Sequence, residues 1–234
     1  MKKEIYFFIF CYLCQYSILL AQGDNFTKLR ENMVHNQIKM RGIKNEKVLS
    51  ALEKVERHKF VPTHLVNYAY DDSPLPIGYE QTISQPYIVG LMSALVEPQE
   101  DDAILEIGTG SGYQAAVLSL LCKKVYTIEI IPELAHSAEK ILKESGYDNV
   151  FVKAGDGFLG WSEFAPFDKI MITASAPKVP EPLIEQLKEA GKIIMPLSEG
   201  YPQKLCIYTK KNGKLEKKYI ADVIFVPMIG KVRQ

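Results

Sequence analysis

Residues 103–113 read AILEIGTGSGY, and this stretch does most to define the fold. Its first half, Ala103–Ile107, is a short apolar run typical of a buried strand. Three glycines follow at alternate positions, and a helix is predicted over Gln114–Cys122. A strand that runs through closely spaced glycines into a helix presents backbone amides and lets a ligand approach the main chain. The stretch therefore predicts a strand–turn–helix unit with a ligand-binding turn.

Strands and helices alternate on the C-terminal side of this unit. The further strands are predicted at Val125–Ile130, Val150–Lys153, Phe167–Thr173 and Lys192–Met195, and the helices at Pro132–Ser145 and Pro182–Ala190. Such alternation indicates a parallel sheet with helices on both faces. Two last strands, Leu205–Thr209 and Lys214–Ile220, flank Asn212-Gly213, a strong hairpin signal. We therefore predict an α/β, doubly wound, mostly parallel Rossmann-like sheet of about seven strands with antiparallel C-terminal strands.

Acidic residues follow the second and third strands of this predicted sheet. Glu129 closes the second strand, at the spacing from the glycines where a carboxylate accepts from the two ribose hydroxyls of a nucleoside. Asp156, followed by Gly157, comes after the third strand, where it can accept from an adenine amino group. The turn and the two carboxylates together predict a nucleoside site at one edge of the sheet.

The glycine spacing discriminates between nucleosides. A dinucleotide-binding turn would place its third glycine at position 113, where Tyr113 stands. Glu106 directly precedes the turn, which disfavours a phosphate nearby and suits a ligand with a cationic amino group. The pattern predicts S-adenosylmethionine rather than NAD, with cofactor contacts from Glu106, Gly108, Thr109, Gly110, Gly112, Glu129, Asp156 and Gly157.

Residues 75–86 read LPIGYEQTISQP, within an irregular stretch that extends over Val61–Gln85. This segment resembles the signature of the protein-L-isoaspartate O-methyltransferase family. Residues 105–115, 155–157, 173–177 and 225–227 match the same family, and the resemblance covers Met33 to Val226. One departure from the family pattern is Glu80, where many bacterial members carry glycine. This difference is expected to alter the acceptor loop.

The resemblance implies an enzyme, a protein-L-isoaspartate(D-aspartate) O-methyltransferase of the class I type. S-adenosyl-L-methionine would be the methyl donor, released as S-adenosyl-L-homocysteine. The partners would be damaged proteins and peptides with L-isoaspartyl residues, and in some members D-aspartyl residues. Their methyl esters collapse to a succinimide that can reopen to aspartate, so the reaction initiates repair. The family pattern assigns the catalytic position to Ser84 and places Gln81, Thr82 and Ile83 at the cofactor.

The chemistry requires alignment more than activation. A carboxylate is already ionised near neutral pH, so it needs no strong base to attack a methyl group. Alignment and desolvation can supply several kcal/mol of the barrier. The Ser84 hydroxyl could bond the acceptor carboxylate and direct one of its oxygens at the methyl. A nucleophilic role is not expected, because no histidine and acid stand in a recognisable partnership with Ser84.

Composition limits the other partners. Lys plus Arg and Asp plus Glu are 28 each, a formal net charge of zero, so the chain lacks the footprint of a nucleic-acid binder. No metal is expected, because the four histidines lack metal-ligand spacing. Cys122 and Cys206 are expected to be buried thiols rather than a disulfide. A monomer is expected.

Residues 1–23 are expected to form a signal-peptide-like leader or anchor. Two lysines precede a mostly apolar run, Ile5–Leu20, and small residues follow it. This layout suggests export to the periplasm or membrane tethering through the leader, while a true start at Met33 is the alternative. The family is usually cytoplasmic and the cofactor is made in the cytoplasm, so localisation stays open.

The rest of the chain, 24–234, is expected to be a single methyltransferase domain. Its helical N-terminal part, 24–100, carries the acceptor loop, and its sheet part, 101–234, binds the cofactor. Helices are predicted from Phe26 to Gly42, after an N-cap at Asn45, and from Pro86 to Val96.

Three alternatives remain open from the residues. Another class I methyltransferase could act on a small molecule or on nucleic acid. Residues 173–177 read TASAP, however, where enzymes that methylate nucleic-acid amino groups carry Asn/Asp-Pro-Pro-aromatic. An inactive module could bind S-adenosylmethionine, although the intact Ser84 segment disfavours this. A dehydrogenase is disfavoured by the glycine spacing.

Overall fold

A computed structural model describes residues 25–231. The expected leader, 1–23, lies outside the described residues. Within 25–231, no helix combines the length and the apolar character needed to cross a membrane.

The N-terminal part contains three helices and a small hairpin. Helix α1 covers residues 25–32 and continues as a π-helix over Met33–Lys39. Helix α2 follows at Glu46–Lys54, and the Asn45 side chain accepts from two amides of its first turn, so the predicted N-cap is confirmed. Short 3-10 turns at Arg57–Phe60 and Thr63–Tyr68 lead to strands β1 (Leu75–Gly78) and β2 (Gln81–Ile83), and then to helix α3 (Pro86–Val96).

Strands β1 and β2 pair antiparallel, although this stretch was predicted to be irregular. The two strands have only four and three residues, too few to show an alternating pattern. Their turn residues, Tyr79 and Glu80, both have positive φ, of 52° and 58°, in place of the Asn-Gly pair that usually marks such a turn. The hairpin therefore lacked the usual sequence signals.

The main sheet has seven strands in the order β5-β4-β3-β6-β7-β8-β9. They are β3 (Ala103–Ile107), β4 (Lys124–Glu129), β5 (Val150–Ala154), β6 (Phe167–Ile172), β7 (Leu187–Leu197), β8 (Gln203–Lys211) and β9 (Lys214–Val223). The first five are parallel to one another, whereas β8 and β9 add antiparallel. Asn212 and Gly213 turn between them with φ of 50° and 74°. The predicted fold class is confirmed.

Three helices connect the parallel strands, and the last differs from prediction. Helix α4 covers Tyr113–Ser119 and α5 covers Pro132–Glu144, but α6 covers only Glu181–Glu185. The predicted helix to Ala190 is wrong, because Leu187 already pairs with Phe167 of β6 and is buried. A Cβ added to Gly191 would lie 2.9 Å from the Asp168 carbonyl oxygen, so two backbones meet closely there. Packing against the sheet overrides the local helical preference.

Hydrophobic clusters cover both faces of the sheet. Strand β3 shows the division, since Ile104 belongs to one cluster and Leu105 and Ile107 to the other. The first cluster also contains residues of α1 to α5, so it joins the N-terminal helices to the sheet. Cys122 and Cys206 are buried and unbridged, as predicted.

Candidate active site

The glycine turn after β3 has the backbone geometry that only glycine adopts easily. Gly108, Gly110 and Gly112 have φ of 98°, 53° and 87°. At Gly108 space is also restricted, because an added Cβ would lie 2.4 Å from the Thr173 Oγ1. The Thr173 hydroxyl lies 2.9 Å and 2.7 Å from the carbonyl oxygens of Ile107 and Gly108. Thr173, the residue directly after strand β6, thus holds the turn in place from the side.

A cavity opens at the carboxyl ends of β3, β4 and β6, between the glycine turn and the hairpin β1–β2. We call it the main cavity, lined by Gln81, Thr82, Ile107, Gly108, Gly110, Ile128, Glu129, Ile130, Ile131, Gly157, Thr173, Ala174, Val226, Pro227, Met228 and Ile229. Its empty space, together with the open solvent at its mouth, amounts to about 570 Å³. Six predicted cofactor contacts come together here: Gln81, Thr82, Gly108, Gly110, Glu129 and Gly157.

Glu129 is the acidic group of the main cavity. Its Oε2 accepts from the Gly110 amide at 2.8 Å, and its Oε1 accepts from the Ile131 amide at 3.0 Å. The residue is only 5% exposed, so the two amides hold its carboxylate in one orientation. Each oxygen keeps a second lone-pair position, which leaves capacity for a diol.

Glu106 does not line the main cavity, unlike the sequence expectation of a direct cofactor contact. It is fully buried, and the Thr127 hydroxyl donates to its Oε2 at 2.5 Å, while Oε1 has no partner among the described residues. Burial raises the pKa of the Glu106 carboxyl to about 8, the Thr127 bond lowers it, and the nearby charge of Glu129 raises it. The β-strand period turns this side chain away from the ligand.

Three other predicted contacts support the site from outside the main cavity. Thr109 is buried, and its Oγ1 lies 2.6 Å from the Thr127 Oγ1. Gly112 faces α5, where an added Cβ would be 3.2 Å from the Leu142 Cδ1. Ile83, like Thr109, lines a smaller cavity behind the turn.

Asp156 turns its carboxylate to backbone amides. Its Oδ1 accepts from Phe158 and its Oδ2 from Lys231, both at 2.9 Å. An added Cβ at Gly230 would lie 2.7 Å from both carboxylate oxygens. The carboxylate therefore ties the C-terminal tail to the end of β5, and only the neighbouring Gly157 lines the main cavity.

Ser84 lies in a second space, which we call the adjoining cavity. It is lined by Pro74, Thr82, Ser84, Gln85, Ile88, Thr173, Pro202, Asp222, Val223, Ile224, Phe225 and Val226. Thr82, Thr173 and Val226 line both cavities and so form their common wall. The Ser84 hydroxyl makes no hydrogen bond within residues 25–231, and no histidine lines either cavity.

Several lining residues were not predicted as site residues. Thr173 follows β6, and the segment from Val226 to Ile229 lies 13 to 16 residues beyond Gly213 of the last hairpin turn, too far for a local rule. Thr173, Val226 and Pro227 belong to segments that carry the family resemblance, whereas Met228 and Ile229 lie beyond them. A further rule, that ligands bind outside the carboxyl ends of parallel strands, could have identified Thr173.

The residues of the main cavity fit S-adenosylmethionine. The lining contains Glu129 but no lysine or arginine, which suits an uncharged ribose and disfavours the diphosphate of a dinucleotide. Gly108 and Gly110 have no side chains, so a ligand can contact their backbone directly. The isoleucines of the lining form apolar walls against which a base can pack. Glu129 would hold the ribose, and the glycine turn would lie against the rest of the ligand.

Metal-ligating groups do not cluster in the part of the chain that the structure describes. Within residues 25–231, no three His, Cys, Asp or Glu side chains are arranged to hold an ion.

Comparisons with known proteins agree on one family. Residues 28–233 match the family described as protein-L-isoaspartate(D-aspartate) O-methyltransferase. Protein-L-isoaspartate O-methyltransferase 2 of Shewanella sediminis (strain HAW-EB3) is 48% identical over 235 residues, 98% of this chain and 96% of its own. The protein of the same name from Nitrosococcus oceani is 55% identical over 188 residues, covering 80% of this chain and 86% of its own.

Solved structures give the same result. A structure named protein-L-isoaspartate O-methyltransferase has a TM-score of 0.80 and 29% identity, over 87% of this chain and 67% of its own. A Plasmodium falciparum structure named as a protein-L-isoaspartate O-methyltransferase, in complex with S-adenosyl-L-homocysteine, has a TM-score of 0.77 and 27% identity. It covers 86% of this chain and 98% of its own.

Proposed function

Because this chain belongs to the protein-L-isoaspartate(D-aspartate) O-methyltransferase family, it is an S-adenosylmethionine-dependent methyltransferase, and we propose that Ser84 aligns its acceptor. The acceptor is the carboxylate of an isoaspartyl residue in a damaged protein or peptide. The observation that carries the proposal is the common wall of the two cavities. Of these two cavities, Gln81, Gly108, Gly110, Glu129 and Gly157 line the main cavity alone, whereas Ser84 lines the adjoining cavity alone.

The chain's residues supply binding and orientation in the main cavity. When bound, S-adenosylmethionine supplies a methyl group on a positively charged sulfur, which leaves as the neutral thioether S-adenosyl-L-homocysteine. Glu129 holds the ribose hydroxyls while its own orientation is set by the Gly110 and Ile131 amides. Gln81 and Thr82 cover the opposite side from strand β2.

Ser84 acts on the acceptor in the adjoining cavity. Its hydroxyl donates to one carboxylate oxygen, which leaves the other oxygen free to face the common wall. The apolar side chains around it, including Ile88 and Phe225, exclude water from the carboxylate and so raise its reactivity. No proton has to move, because the acceptor is ionised before it binds.

The activity is tested with labelled S-adenosylmethionine and two matched peptides, one with isoaspartate and one with aspartate. We expect base-labile methyl esters only on the isoaspartyl peptide. Cofactor binding without transfer would instead identify an inactive binding module, and labelling of a small molecule or nucleic acid alone would identify a different methyltransferase.

The role of Ser84 is tested with Ser84→Ala. A hydrogen bond to a charged group contributes about 1.5–3 kcal/mol, so kcat should fall about 10- to 100-fold. The affinity for S-adenosyl-L-homocysteine should stay unchanged. Ser50→Ala, on α2 and outside both cavities, is the matched control. Equal loss of turnover and of cofactor affinity would contradict the aligning role.

The domain organisation and the oligomeric state of the chain are part of the same proposal. We propose one domain over 24–234 that acts as a monomer, with the N-terminal part supplying the acceptor loop. The hydrophobic cluster that contains residues of both α2 and β3 supports the single domain. If the protein contacts a membrane, only the leader, residues 1–23, would make that contact.

A further inference from the structure

Arg57 is a fully buried arginine without a carboxylate partner. It lies in the 3-10 turn Arg57–Phe60 with none of its surface exposed, and it forms no ion pair with any residue in 25–231. Burial lowers the pKa of its guanidinium to about 10, partly offset by the neighbouring Tyr113, so the group stays charged at neutral pH. Burying such a charge is costly unless hydrogen bonds compensate it.

The compensating bonds go to two backbone carbonyls from different parts of the acceptor region. Arg57 Nε donates to the Ala69 oxygen at 2.7 Å, and Nη2 donates to the Ser84 oxygen at 2.8 Å. No other described residue donates to the Ser84 carbonyl. The planar guanidinium can satisfy two diverging acceptors at once, which a lysine ammonium does less rigidly.

Arg57 also touches the cofactor side of the site. Its Cζ lies 4.8 Å from the ring centroid of Tyr113, the first residue of α4 after the glycine turn. Arg57 Nη1 and the Tyr113 hydroxyl are both buried without a hydrogen-bond partner in the described part. One side chain thus connects the backbone of Ser84 to the helix that follows the glycine turn.

The backbone is paired before and after Ser84, since Ile83 pairs with Leu75 and the Gln85 carbonyl accepts from the Ile88 and Val89 amides, but the peptide unit between Ser84 and Gln85 takes part in neither. Ser84 lies between β2 and α3, outside regular structure. The Gln85 side-chain amide donates to Asp72, but the backbone N–H of Gln85 donates to no residue within 25–231. The bond from Arg57 is therefore the direct link between the peptide unit of Ser84 and the protein core.

We infer that Arg57 is a positioning residue that holds the backbone of Ser84, so that the serine hydroxyl faces the adjoining cavity at the distance the acceptor requires. This inference rests on the proposed role of Ser84. Arg57 does not touch the acceptor or the cofactor and acts through Ser84.

The test compares Arg57→Lys and Arg57→Met with the wild-type enzyme on an isoaspartyl peptide. A misplacement of about 1 Å can cost on the order of 100-fold, so we expect kcat to fall about 10- to 100-fold in Arg57→Met and less in Arg57→Lys. The affinity for S-adenosyl-L-homocysteine should change less than about threefold, since the charge lies outside the main cavity. A parallel fall in cofactor affinity would overturn the inference.

A stability control separates positioning from general damage. Leu49→Ala removes a buried side chain of α2 that lines neither cavity. It should lower Tm without lowering kcat when the assay runs well below the Tm of every variant. If Leu49→Ala lowers kcat as much as an Arg57 variant of equal Tm, the inference is wrong.

A double variant asks whether Arg57 acts through Ser84. In Ser84→Ala, the added change Arg57→Lys should lower kcat no further, because the hydroxyl being positioned is already gone. Multiplying losses would overturn the inference. Normal kcat in Ser84→Ala would show that the proposed role of Ser84 has failed, whereas a slow Ser84→Ala with a normal Arg57→Lys would show that only the inference has failed.

If the Arg57 variants do not fold, a backbone substitution tests the inference instead. Replacing Gln85 by its α-hydroxy acid turns the Ser84 carbonyl into an ester, a weaker acceptor for Arg57. The backbone N–H of Gln85, which is lost in this change, makes no hydrogen bond in the described part. We expect a fall in kcat at unchanged affinity for S-adenosyl-L-homocysteine, and an unchanged kcat would contradict the inference.

Discussion

Glu129 and Glu106 are neighbouring carboxylates with opposite surroundings. Glu129 faces the main cavity and accepts from two backbone amides, whereas Glu106 is sealed behind the turn with only Thr127 bonded to it. Both were expected to contact the cofactor. At the residue scale, the side on which each strand residue points decides which carboxylate can do so.

The first prediction concerns Glu129→Gln. The amide group has one acceptor oxygen and one donor group, so one of the Gly110 and Ile131 amides would face a donor instead of an oxygen. Bonds to charged groups contribute about 1.5–3 kcal/mol, so the dissociation constant of S-adenosyl-L-homocysteine, measured by calorimetry, should rise about 10- to 100-fold. Glu133→Gln, exposed on α5, is the control. Unchanged binding in Glu129→Gln would contradict the assigned role.

The second prediction concerns Glu106 and pH. Its pKa is about 8 in the folded protein against an ordinary 4.5, so the folded state binds the extra proton between these values. Stability therefore falls as the pH rises, with no cost below about pH 4.5 and the full cost, on the order of a few kcal/mol, above about pH 8. Glu106→Gln removes the titration. Its Tm advantage over wild type should grow between pH 5 and 8.5, and a constant difference would refute the prediction.

At the scale of elements, the hairpin β1–β2 forms one wall of the main cavity from a strained turn. Gly78, Tyr79 and Glu80 all have positive φ, and the next two residues, Gln81 and Thr82, line the cavity. A positive φ is unfavourable for residues with a Cβ. Glycine at position 80 would remove that strain, because it has no Cβ.

The third prediction is that Glu80→Gly stabilises the protein. Relief of the positive φ should outweigh the added freedom of the unfolded chain by about 0.5–1 kcal/mol, which raises Tm by roughly 1–4 °C. Glu80→Ala keeps the Cβ and is the matched control, with no gain expected. Thermal unfolding measures both variants. A gain of equal size in Glu80→Ala would show that the loss of the glutamate charge, and not backbone strain, is responsible.

At the scale of the whole molecule, one cluster joins the N-terminal helices to the sheet, and both cavities lie between these two parts. The acceptor loop therefore depends on the same packing as the cofactor site. A chain that keeps this packing should keep the activity, whatever precedes it.

The fourth prediction concerns residues 24–234 alone. A chain that begins at Asp24 should unfold in one transition close to that of the full chain. S-adenosyl-L-homocysteine at about 100 times its dissociation constant adds roughly 2.7 kcal/mol, so Tm should rise about 5–10 °C in both forms. Glu129→Gln should show a smaller rise at the same concentration. Loss of the shift on truncation would place part of the site or its support in the leader.

Local patterns predicted much of this architecture. Strand β3 and the start of α5 at Pro132 agree with their predictions, because an apolar run and a helix-start proline act within a few residues. The end of helix α6 was predicted wrongly because Leu187 pairs with Phe167, a distant residue of β6. The hairpin β1–β2 was missed because its strands are short and its turn at Tyr79 and Glu80 lacks the usual sequence signals.

The sequence by itself determined the sheet of alternating elements, the glycine turn and the position of Glu129 at the end of β4, because these depend on side-chain period and on backbone freedom. Only the tertiary structure decided that Glu106 is turned away, that Thr173 and Val226 divide the two cavities, and that Arg57 bonds the carbonyl of Ser84. Residues so far apart along the chain meet only when the N-terminal helices pack on the sheet, and the geometry of that packing is not contained in any local pattern.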